Sequence, residues 1–121
     1  MSNSIENLLL RNLYDVFGER DPQRRMAAIR TLFDAECLFS DPRGRHRGHE
    51  ALERAVIALQ SEFPDHAFTQ IGSVASLQDS GKLAWAFGPP DEPRQITGLD
   101  VIVVQNDRIA SLFTFVDPAS A

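Results

Sequence analysis

Residues 95–105, QITGLDVIVVQ, and residues 108–116, RIASLFTFV, decide the fold. Their β-branched and aromatic residues read as two long strands, with Asn106-Asp107 between them as a tight hairpin turn. In the first strand one face carries Ile96, Gly98, Asp100, Ile102 and Val104, and the other Thr97, Leu99, Val101 and Val103. Strict alternation in the second places Ile109, Phe113 and Phe115 on one face and Leu112 on the other. An antiparallel sheet with one wet face alternates apolar with polar residues. Here both faces are apolar apart from Asp100 and Thr97. One face is expected to carry helices. The other, with Leu99, Val101, Val103 and Leu112, needs separate cover, and a second copy of the chain is expected to supply it as a homodimer.

Upstream, AFTQIGSVASLQ (67–78) and KLAWAF (82–87) read as two further strands joined at Asp79-Ser80-Gly81. A proline-rich loop from Gly88 to Pro93 follows. Before Ala67 the period is helical. Ile5, Leu9, Leu13, Val16 and Phe17 predict an amphipathic helix over 4–18, stopped by Gly18. Asp21-Pro22 supplies an N-cap and a first-turn proline, and Met26, Ile29 and Phe33 carry a second helix to about Leu32. Residues 36–40 form a short apolar strand. Gly48 opens a third helix with Leu52, Ala55, Val56, Leu59 and Phe63 on one side, and Pro64 ends it. Helices followed by a run of antiparallel strands predict an α+β fold.

The 121 residues fit one domain, 1–121, large enough to fold on its own core. A net charge of −5 and a pI near 5.1 argue against nucleic acid or an anionic membrane as partner. MSNSIENLLLRN (1–12) is neither a signal peptide nor a membrane span, so a soluble cytoplasmic domain is expected. Cys37, the single cysteine, is expected in the core. Among His46, His49 and His66 there is no metal spacing, and no glycine-rich phosphate loop or nucleophile elbow occurs. Neither a metal nor a cofactor is expected.

Three residues carry the chemistry. In LFSDPRGRHRG (38–48), Asp41 ends an apolar strand where the chain turns away. Asp-Pro is ordinary turn chemistry, yet a carboxylate at a strand exit can also be a water-accessible base, and Pro42 removes one nearby N–H donor. Asp100 interrupts an apolar strand. It is either a structural aspartate bound to a strand end or to an arginine such as Arg94, or a carboxyl facing a cavity with its pKa raised by poor solvation. Tyr14 lies at the edge of the first helix's apolar arc, where its hydroxyl can be wet or can point into a pocket. Trp85 with Phe87, and Phe113 with Phe115, make either an aromatic wall for a flat apolar ligand or ordinary core. The arginines of RGRHRG (43–48) are a solvated loop or an anion site.

The element order, LFDAECLFSDPRG, the W-x-FGP run and GLDVIVVQNDRI together resemble the SnoaL-like group of the nuclear-transport-factor-like superfamily. The resemblance covers nearly the whole chain. It implies a cone of three N-terminal helices packed on a curved antiparallel or mixed sheet enclosing a pocket. Within that superfamily, ketosteroid isomerases use a first-helix tyrosine, an aspartate base just before a proline, and a protonated aspartate on a late strand. Tyr14, Asp41 and Asp100 resemble these in turn. Superfamily epoxide hydrolases carry an arginine two residues before a strand aspartate, and here that place is Gly98. The resemblance thus implies cofactor-independent acid–base chemistry on a small apolar carbonyl compound, as in a ketosteroid isomerase or polyketide cyclase. Phe17, Trp85, Phe87, Ile102, Phe113 and Phe115 are the expected lining. The alternative is a non-catalytic binding or dimerisation module of the same fold.

Overall fold

The computed structural model describes residues 4–118. The Ser4 side chain accepts a hydrogen bond from the Asn7 amide and caps α1 (Ile5–Arg11). The expected single helix does not run unchanged to Gly18. Residues Asn12–Phe17 widen into a π-helix, closed by the Gly18 N–H donating to the Leu13 carbonyl at 2.9 Å. Asp21 caps α2 (Pro22–Leu32), which passes without a loop into β1 (Phe33–Asp41), so this strand starts three residues before the expected 36.

After β1 the chain turns back as β2 (Gly44–Arg47), a strand inside what reads as an arginine-rich loop. α3 (His49–Glu62) follows Gly48, whose φ of 88° is one that glycine adopts without strain. Its C-terminal carbonyls are collected by Arg20, which donates to Gln60, Phe63 and the following His66. Arg25, only 2 % exposed, ties α2 to α3 through Glu53, with one bond at 2.9 Å. Its guanidinium also donates to the Glu19 carbonyl and to Gln60. Nothing in the helical spacing marks this ion pair.

Four strands complete the sheet: β3 (Ala67–Leu77), β4 (Ser80–Gly88), β5 (Ile96–Gln105) and β6 (Arg108–Val116). The spatial order is β2-β1-β6-β5-β4-β3, with β1 and β6 parallel and every other pair antiparallel, so the sheet is mixed and open. The β3–β4 turn is Gln78-Asp79, one residue earlier than the turn chemistry suggested. Asn106 and Asp107, at φ 53° and 63°, make the expected left-handed hairpin turn.

Leu83, Trp85, Phe87, Ile102, Ile109 and Leu112 pack beneath Leu8, Leu9, Leu13, Val16, Ile29 and Val56, with Cys37 also buried as expected. α1 approaches β4 closely at Gly81, where a β-carbon would stand 2.3 Å from Ile5 Cγ2. On β5 the faces fall as alternation predicts. On β6 they do not. Val103 pairs with Ser111 but Val104 with Ile109, which leaves Ala110 as an extra residue. This bulge lets both Ile109 and Leu112 point inward. Phe113 and Phe115 then share the outer face with their partners Val101 and Leu99. The expectation that Phe113 and Phe115 join Ile109 on the pocket side is therefore corrected, and Leu112 belongs to the core. Phe115 is 57 % exposed.

Candidate functional site

A cavity of about 400 Å³ lies between the inner sheet face, the first helix and the end of α3. Its wall is aromatic: Phe17, Phe39, Phe63, Phe68, Trp85 and Phe87. Phe68 stacks on Phe87 with centroids 4.1 Å apart and meets Trp85 edge-on at 5.6 Å, which stiffens that wall. The polar side chains are few: Asp41, Arg43, Asp100 and Thr114, with the indole of Trp85.

Asp100 stands on the inner face of β5 and is 4 % exposed. Its Oδ1 accepts from Trp85 Nε1 at 3.0 Å and from Thr114 Oγ1 at 2.8 Å. Burial pushes the pKa up to about 6, while the hydrogen bonds from Thr114 and Trp85 oppose that rise. Both donors use Oδ1. When the group is protonated, the proton therefore belongs on Oδ2, which has no protein partner among the described residues. The carboxyl is held by Trp85 and Thr114, with no role for Arg94.

Gly98 explains how the indole gets there. It pairs with Trp85 across β4 and β5, and a β-carbon at 98 would sit 2.3 Å from Trp85 Cζ2. The ring lies over this gap and delivers its N–H to Asp100. The position that would carry an arginine in the epoxide-hydrolase pattern is thus filled by an aromatic ring.

Asp41 closes the β1–β2 turn. Its Oδ1 accepts from the Arg43 and Gly44 amides at 3.0 and 3.1 Å. Pro42 withholds a donor, and the next two residues supply them instead. Oδ2 has no hydrogen-bond partner among the described residues, and Asp41 lines the cavity. Turn chemistry and a place in the cavity wall coexist in this one side chain, because the turn uses only Oδ1. Arg43, also in the lining, pairs with Glu62 of α3.

Asp41, Asp100, Phe17, Trp85 and Phe87 thus share one cavity. Tyr14 does not join them. It is 43 % exposed, and its hydroxyl accepts the Gln70 amide at 2.9 Å. β3 is an edge strand, and this outward N–H lacks a strand partner. The π-turn carries Tyr14 to the sheet edge to satisfy it. Ile102 is fully buried in the core away from the cavity lining, and Phe113 and Phe115 face outward. Phe39, Phe63, Phe68 and Thr114 were missed. Phe39 could have been found two residues before Asp41, on the same strand face. Thr114 stands opposite Asp100, a pairing that the β6 bulge hides from strict alternation.

Among the described residues no cluster of three or more His, Cys, Asp or Glu side chains could hold a metal ion. His49 Nε2 contacts the Phe33 and Asp34 carbonyls, and His66 lies between Asp65 and Gln95. No helix among them is long and apolar enough to cross a membrane.

The chain is similar in structure to a candidate isomerase of the SnoaL-like family from Agrobacterium tumefaciens, at TM-score 0.85 and 20 % identity over 92 % of this chain and 95 % of that one. A candidate SnoaL-like polyketide cyclase from Jannaschia sp. superposes at TM-score 0.75 with 12 % identity, covering 97 % and 91 %. A candidate ketosteroid isomerase from Kribbella flavida gives 0.74 and 16 %, covering 99 % and 82 %. At these identities the likeness is one of fold. No curated protein matches the sequence. The SnoaL-like domain model matches residues 10–112, from the first helix to the fully buried Leu112 of β6. With that span and this fold, the chain belongs to the SnoaL-like domain family.

Proposed function

We propose that the protein is a cofactor-independent acid–base enzyme for a small apolar carbonyl compound, with ketosteroid-isomerase-like or polyketide-cyclase-like proton transfer. One observation carries the reading: two carboxyl groups in unlike environments line the same aromatic cavity. Asp41, at the strand exit, is the base. Its free Oδ2 takes a proton from the carbon next to the carbonyl and can return it to another carbon. Asp100, whose pKa burial raises to about 6, donates in its protonated form from Oδ2 to the carbonyl oxygen and stabilises the enolate that forms. A bound apolar ligand excludes water and further favours the neutral acid. About 400 Å³ is near the small end of ligand pockets, which suits a compact ligand.

The expected assembly is a homodimer through the outer sheet face. The expected compartment is the cytoplasm, where a lone buried thiol such as Cys37 stays reduced.

The test is a panel of β,γ-unsaturated ketones followed by absorbance, wild type against Asp41→Asn, with thermal melts of both. The substitution should leave folding little changed and lower the rate by about two to four orders of magnitude. Equal rates, or no turnover of a compound that binds, would favour the non-catalytic binding module.

A further inference from the structure

β2 adds a residue that the proposed chemistry leaves unused. In the β1–β2 ladder His46 pairs with Phe39, and Asp41 stands two residues beyond Phe39, so all three share one face. The imidazole stacks on the Phe39 ring at 5.3 Å and 26°. Its Nε2 is buried, makes no hydrogen bond, and lies 3.5 Å from Asp41 Oδ1. That oxygen already serves the turn, while Oδ2 remains for a ligand.

We infer that His46 is a positioning residue for Asp41, holding an Nε2 proton against Oδ1 so that the carboxylate keeps one orientation. The inference rests on the reading of Asp41 as the base. A lone pair on Nε2 aimed at a carboxylate oxygen is repulsive, whereas a proton there is attractive. The Nε2 atom is shielded from water, so a solvent partner does not replace the carboxylate. The imidazole becomes the third donor around Oδ1, after two backbone amides, and fixes the direction of Oδ2.

The surrounding charges leave this pairing intact. Arg43, in the adjoining turn, is engaged by Glu62. Arg45 and Arg47 pair across the ladder with Ser40 and Leu38, on the opposite face of β2. α3 packs on β2 and carries His49, Glu50, Glu53, Arg54 and Glu62. Glu53 is held by Arg25, and His49 by two carbonyls. Among the described residues, only Asp41 brings a carboxylate within ion-pair distance of His46.

The test is NMR of the histidine ring protons in the full ¹⁵N- and ¹³C-labelled chain, wild type against Asp41→Ala. The wild type should show a His46 Nε2–H signal protected from exchange with water, and the variant should lose it, because the acceptor is gone. His49 and His66 should stay in place and serve as internal controls. As the reciprocal measurement, the Asp41 carboxyl ¹³C signal should move in His46→Leu and return toward the wild-type position in His46→Gln, which restores an N–H donor and covers the case in which Asp41→Ala fails to fold. A neutral Nδ1–H form, a protected Nε2–H that survives Asp41→Ala, or an Asp41 signal unmoved in His46→Leu overturns the inference. These readouts need no turnover, so they fail separately from the enzyme reading.

Discussion

Trp85 and Gly98 face each other in the β4–β5 ladder, and the indole occupies the space that a side chain at 98 would take. The Phe115 carbonyl oxygen would lie 2.4 Å from the same β-carbon, so neither strand can simply give way. Gly98→Ala should destabilise the fold by about 1–3 kcal/mol, the usual cost of overpacking. It should also loosen the Trp85–Asp100 hydrogen bond. Chemical denaturation with tryptophan emission reads both effects. Unchanged stability would mean that the ring has room to move.

Asp100 should make stability depend on pH. Its ordinary value of 3.8 holds in the unfolded chain, against about 6 in the fold. As pH rises between these values the unfolded state ionises first, so the folded state loses ground through this window and does not regain it above. The loss is on the order of 3 kcal/mol. Asp100→Asn keeps an acceptor for Trp85 and Thr114 without the charge. It should equal or exceed the wild type in stability at pH 7 and lack the decline between pH 4 and 6. Trp85 is the single tryptophan, so wild-type emission should show a transition near pH 6 that the variant lacks. A variant much less stable than wild type at pH 7 would mean an Asp100 that the fold needs ionised.

Tyr14→Phe separates the sheet-edge role from a catalytic one. Losing the bond to the Gln70 amide should cost about 0.5–1.5 kcal/mol, and water can reach the exposed donor. Turnover should stay within about twofold of wild type, because a hydroxyl outside the cavity adds nothing to the proton transfer. A hundredfold loss of rate in a well-folded variant would return Tyr14 to the site.

The outer sheet face predicts self-association. Leu99, Val101, Val103 and Phe113 are half-buried there beside the exposed Phe115. Light scattering at micromolar concentration should give twice the chain mass of 13.5 kDa. Val101→Lys, at the centre of that face, should halve it. A wild-type chain that stays monomeric at high concentration removes the proposal.

Local pattern was sufficient for much of this protein. Periodicity alone places the helices and the long strands, the Asn106-Asp107 hairpin, Cys37 in the core and Asp100 on the inner face of β5, because each depends on neighbours within a few residues. The tertiary structure decided what depends on distant pairing. The parallel β1–β6 contact and the Arg25–Glu53 pair join segments far apart in the chain. The Ala110 bulge moves Phe113 and Phe115 outward by one slip of register that alternation cannot reveal. The π-turn sends Tyr14 to an edge strand whose unpaired amide exists only once the sheet has formed. The meeting of Asp41 with Asp100 belongs to this second class too, since a cavity is made by the elements that enclose it and by no one of them.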